Sequence, residues 1–158
     1  MEGMVRLSFY LFAAASISVV AAWVSYVVYA VGRIRVRHTA LTTSTGVTVG
    51  GSSAEFGPGS VGAGRFATLF GWFAAVFAGL AVLTRAIASH RGPYSNMYEF
   101  SMAFVFMLTF AYMLFERFYG VKQLGAITMT IALGMCAYIW TLPPRLREVD
   151  ALNPALQN

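Results

Sequence analysis

The stretch LSFYLFAAASISVVAAWVSYVVYAVG, Leu7 to Gly32, contains no Asp, Glu, Lys, Arg or His. A helix crosses a hydrocarbon core of roughly 30 Å with about 20 apolar residues, and this run exceeds that length. Three further charge-free runs follow at Phe66–Thr84, Phe100–Phe115 and Leu124–Leu142. The third is the shortest, and Tyr98 and Glu99 extend it into the headgroup zone. The expected fold is therefore an all-α membrane protein, a single transmembrane domain over 1–158 with about four transmembrane helices at 7–32, 66–84, 98–115 and 124–142. Composition agrees: the 158 residues are 58% hydrophobic and 11% charged, with a mean hydropathy of +0.67. That is more apolar surface than one water-soluble domain can bury. Arg6 before an alanine-rich run has the look of a secretory signal. The run is too long for an h-region of about 7–15 residues, which favours an uncleaved spanning helix.

The formal charge is +5 and the pI about 9.7. The eleven basic residues are spread over the loops, so they report topology, and no nucleic-acid partner is expected. Arg33, Arg35, Arg37, Arg65, Arg117 and Lys122 fall on one side; Arg6, Arg85, Arg91, Arg145 and Arg147 fall on the other. Placing the dense cluster RIRVRH in the cytoplasm makes both termini and the Arg85–Glu99 connection external, by a margin of one charge. Residues 39–64, TALTTSTGVTVGGSSAEFGPGSVGAG, are rich in Gly, Ser and Thr and predict a flexible cytoplasmic loop. With no Gly-Lys-Ser/Thr and no strand ahead of them, these glycines are not a phosphate cradle.

Small residues recur at every fourth position, Ala14, Ser18 and Ala22 in the first run and Gly71, Ala75 and Gly79 in the second. Such stripes let helix backbones approach closely in lipid, either within one chain or against a partner subunit. After the fourth run, Leu142, Leu146, Val149, Leu152 and Leu156 share one helical face opposite Arg145, Arg147, Glu148 and Asp150. The tail 143–158 thus predicts a short amphipathic helix lying along the membrane surface, with Pro154 ending or kinking it. Cys136, the sole cysteine, suits a small apolar filler within the fourth run.

Chemistry is sparse in this pattern. An ion or proton path needs an ionisable group within the membrane, and the four runs as drawn contain none, so a transporter or pump is not expected. His38 and His90 lack a second ligand at i+3 or i+4, so no metal site is expected, and no spacing supports a nucleophile and base. No catalytic residue is assigned.

The polar interruption RGPYSNMYEF, Arg91 to Phe100, remains. On spacing alone, Asn96 caps the third helix while Glu99 reaches back in a capping box, Pro93 sets the turn, and Tyr94 and Tyr98 occupy the headgroup layer.

The segments GPYSNMYEFSMAF, FERFYGVKQLGAITM and LNPALQN together resemble the N-terminal half of the CcsA/ResC family of cytochrome c biogenesis proteins, often called CcsB in actinobacteria. The resemblance is most specific at Pro93, Asn96, Tyr98 and Glu99, and at Pro154 to Gln157. It implies a multi-pass protein of the bacterial plasma membrane working with a ResB/Ccs1-like membrane protein. Such proteins deliver haem b to the outer face and attach it to the Cys-x-x-Cys-His motifs of apocytochrome c, whose thiols a thioredoxin-like reductant keeps reduced. The Pro93–Glu99 loop would face outward. The family's tryptophan-rich segment and flanking histidines follow the Pro-Ala-Leu-Gln segment, whereas Trp23, Trp72 and Trp140 here lie within the runs. No haem ligand is carried over. His90 is one position away from the histidine of some relatives, where this chain has Arg91.

The expectation is a membrane component of c-type cytochrome biogenesis (system II), incomplete without its C-terminal half. The family acts as a haem lyase, but the haem-handling region is not among these residues. The alternative is an accessory subunit of a larger membrane complex, docked through the Gly71, Ala75 and Gly79 face.

Overall fold

The structure, a computed structural model, describes residues 2–42, 58–89 and 96–143, with residues 2, 33–42, 58–61 and 89 described by their backbone only. It contains α1 (Glu2–Thr42), α2 (Pro58–Ser89), α3 (Met97–Tyr119) and α4 (Gly125–Thr141), with a 3-10 turn at Lys122–Leu124 leading into α4. No strand occurs among the described residues. Four segments are long and apolar enough to cross a membrane: Gly3–Gly32, Gly62–Ala88, Met97–Tyr119 and Lys122–Thr141. The chain is a multi-pass, all-α membrane protein.

The helices run beyond the charge-free stretches. α1 continues through the arginine cluster to Thr42, and α2 already begins at Pro58, so the expected 39–64 loop is helical at both ends. Propagating an existing helix costs little once its nucleus is formed, and proline at the first helical position has its φ preset. Residues 43–57 lie outside the described residues, as does the expected surface helix from residue 144 onward.

α1 packs on α2 and α4, and α3 packs on the same two helices, which closes a four-membered ring. The buried positions recur at alternating threes and fours. Besides Ser8 and Ser18, they are Phe12, Ala15, Val19, Ala22 and Tyr26 on α1, and Gly125, Met129, Ala132, Cys136 and Ile139 on α4. That spacing keeps one seam of each helix facing its neighbours. The outward positions are large and apolar, among them Ile17, Val24, Leu69, Phe73, Met107 and Ile131. In water this surface would be an aggregation liability; in lipid it is solvated.

α2 contributes small side chains to the interior: Ala67, Ala74, Ala75, Ala78 and Ala81 are all buried. Gly71 lies against Met113 of α3, and a Cβ on Gly79 would stand 2.8 Å from Phe106 Cε2. The Gly71, Ala75 and Gly79 stripe is thus occupied within the chain, mainly by α3. At the other end of α3, Gly120 takes the left-handed conformation (φ 67°) and its N–H donates to Glu116 O at 2.8 Å. Glycine adopts that geometry without steric cost and so ends the helix sharply.

α4 is tied to α1 by indole hydrogen bonds: Trp23 Nε1 donates to Thr130 Oγ1 at 2.8 Å and Trp140 Nε1 to Ser16 Oγ at 3.3 Å. Interhelical bonds of this kind in membranes are worth about 0.6 kcal/mol on average and roughly 1.7 at most. Trp23→Phe is therefore expected to lower stability by about 0.6 kcal/mol in a detergent unfolding titration. An unchanged midpoint would mean that the bond contributes nothing.

Candidate functional site

The motif residues sit at the end of the bundle formed by the start of α3, the end of α2 and the start of α1. Asn96 occupies the N-cap position with extended backbone (φ −138°, ψ 147°), and its carbonyl accepts from Phe100 N–H at 2.9 Å. Its side chain makes no cap hydrogen bond, which corrects the capping-box expectation. Glu99 is instead directed across to α2, where Arg85 Nε donates to its Oε1 at 2.9 Å. The side chains are 2% and 4% exposed. Inside the protein a guanidinium offers the carboxylate a full opposite charge where the backbone N–H of a cap offers only a dipole, so the carboxylate goes to the guanidinium.

Tyr98 is also turned inward, 2% exposed. The Arg85 guanidinium stands 4.8 Å from its ring centroid, and Phe12 of α1 meets it edge-on at 6.4 Å. Cation, ring and carboxylate form one buried knot joining three helices. Its formal charge is zero, which makes burial affordable where a lone charge would not be. The knot fixes the helix ends on either side of residues 90–95. Pro93 lies outside the described residues, with His90, Arg91 and Tyr94.

Residue spacing does not give Arg85 as Glu99's partner, because the polar interruption itself separates the two. The available signal was one basic and one acidic residue facing each other across a single helix-to-helix connection.

A second polar centre occupies the opposite end of the bundle. The third charge-free run ends at Phe115, but α3 continues to Tyr119 and carries Glu116 into the interior. Thr68 Oγ1 of α2 lies 2.5 Å from Glu116 Oε1. Tyr112 O–H donates to Oε2 at 3.0 Å, and Tyr26 O–H of α1 donates to the same oxygen. Lys122 Nζ stands 3.9 Å from Oε1 and donates to Gly64 O at 3.1 Å. The Tyr112 and Glu116 spacing of four residues was legible in sequence; the hydroxyls of α1 and α2 were not.

Haem needs an axial ligand and counter-charges for its propionates. His38 lies on α1 and His90 outside the described residues, while the Arg85 charge is already taken by Glu99. No group of three His, Cys, Asp or Glu residues able to hold a metal occurs among the described residues.

No family model matches the chain, and no solved structure matches it. Among curated proteins, the chain is 37% identical over 67 residues to the cytochrome c biogenesis protein CcsA of Synechococcus elongatus, covering 42% of this chain and 21% of that protein. It is 33% identical over 94 residues to CcsA of Mesostigma viride, covering 59% of this chain and 31% of that protein. The matched region spans about a fifth to a third of the length of these curated relatives.

Proposed function

Since this chain is a relative of the CcsA cytochrome c biogenesis proteins, we propose that its four helices form the scaffold of a haem-delivery and cytochrome c assembly protein. The motif end faces the outer side of a bacterial plasma membrane. There it assists delivery of haem b and its attachment to apocytochrome c, alongside a ResB/Ccs1-like membrane protein and a thioredoxin-like reductant.

The observation that carries this reading is the Arg85, Tyr98 and Glu99 knot. The motif residues whose side chains turn inward, Tyr98 and Glu99, hold the ends of α2 and α3 together at the end of the bundle that carries the family motif. The accessory-subunit alternative loses its docking face, because Gly71 and Gly79 are packed against α3.

Asn96→Ala at the chromosomal locus tests the proposal. The expected result is a several-fold loss of haem-staining c-type cytochromes with the chain present at its normal level by immunoblot. Full cytochrome maturation in that strain would refute the reading.

A further inference from the structure

We propose that the end of the bundle opposite the motif binds an anionic phospholipid, with Arg65, Arg117 and Lys122 on its phosphate and Phe66, Phe118 and Tyr119 against its apolar part. The inference does not depend on the haem reading.

Two contacts bring the three cations to one level of the bundle. Lys122 Nζ of the 3-10 turn donates to Gly64 O of α2 at 3.1 Å, and Thr68 Oγ1 of α2 lies 2.5 Å from Glu116 Oε1 of α3. Arg65 follows Gly64 in the chain and Arg117 follows Glu116, so both arginines stand in the layer that Lys122 spans. Both are exposed, and among the described residues neither forms a salt bridge. The acid of this layer, Glu116, is buried and held by the hydroxyls of Tyr26, Thr68 and Tyr112, so its charge is directed inward while the guanidinium charges are directed outward. The planar donors of two arginines suit the oxygens of a phosphodiester. α1 reaches the same layer, since a Cβ on Gly64 would stand 3.1 Å from the Tyr29 ring, and its backbone carries Arg33 one turn further along.

The neighbours of the arginines decide the class of ligand. Phe66, Phe118 and Tyr119 are large, apolar and exposed, Phe118 at 78%. The spanning segment Gly62–Ala88 begins at this level and Met97–Tyr119 ends there. Cation and aromatic ring thus stand together where headgroups meet acyl chains. A soluble phosphate would use the cations alone and leave the rings uncovered. An amphiphile with a negative head covers both, and charge complementarity selects an anionic lipid over a zwitterionic one.

Native mass spectrometry of the full chain in detergent, with phosphatidylglycerol or phosphatidylcholine of identical acyl chains added, tests this. Phosphatidylglycerol should bind the more tightly. A basic residue near an anionic surface strengthens binding about fivefold, so Arg65→Gln combined with Arg117→Gln should weaken phosphatidylglycerol binding roughly 25-fold. Arg6→Gln, an exposed arginine at the motif end, should leave it unchanged. Equal affinity of the parent for the two lipids would overturn the proposal, as would parental phosphatidylglycerol binding by the double variant or an equal loss in Arg6→Gln. Displacement of the lipid by inorganic phosphate at the same concentration would also overturn it, because the rings would then contribute nothing. Should the double variant fall short of parental helicity by circular dichroism, the headgroup preference of the parent and its resistance to phosphate decide.

Discussion

Arg85→Ala is expected to destabilise the chain by about 3–5 kcal/mol, because it leaves the Glu99 carboxylate buried with its ion pair gone. The loss combines the broken Nε to Oε1 bond, the vanished cation over Tyr98 and the cost of a desolvated charge. The last of these dominates, which sets up a discriminating comparison. Arg85→Leu combined with Glu99→Leu removes both charges and restores apolar contact, so the double variant should recover most of the stability lost by the single one. Denaturant titration in detergent, followed by tryptophan fluorescence, measures both. A single variant within about 1 kcal/mol of the parent would show that the pair is solvated rather than buried. A double variant as weak as the single one would show that the pair is held for its own attraction and not merely balanced.

The second large effect is expected at Gly125, the first residue of α4. A Cβ there would stand 2.5 Å from Tyr112 Oη and from Tyr26 Cδ1 and Cε1, the rings that carry the hydroxyls bound to Glu116. Neither ring is free to withdraw without giving up its hydrogen bond. Gly125→Val should therefore cost about 3 kcal/mol, the upper end of the usual overpacking range. Gly134 in the same helix provides the contrast, since nothing lies within 4 Å of its would-be Cβ. Gly134→Ala should leave packing intact and gain about 0.5–1 kcal/mol from the smaller backbone freedom of alanine. The pair of substitutions separates close approach from helix propensity. Equal unfolding midpoints for the two variants would contradict the packing described at Gly125.

The four helices were legible without coordinates. Charge-free length and hydropathy are summed over some twenty residues, so errors at individual positions average out and the bilayer acts as an unambiguous solvent. The same averaging made the ends hard to place. A window that stops at the first charge stops at Phe115 and at Thr84, whereas the helices carry Glu116 and Arg85 one step further and turn them inward. Residue spacing likewise suggested a partner for Glu99 on its own helix, since a capping box is a local pattern.

From its sequence alone, this protein is a bundle of about four membrane helices bearing a CcsA-like motif, because lipid imposes on each segment a length and an apolarity that residues near in the chain either satisfy or fail. Only the tertiary structure decided which charges meet. The Arg85 and Glu99 bond, and the convergence of Tyr26, Thr68, Tyr112 and Lys122 on Glu116, join groups from different helices. Their distances depend on how helices pack and rotate against one another, and small residues such as Gly71, Gly79 and Gly125 set that packing through contacts far apart in the chain.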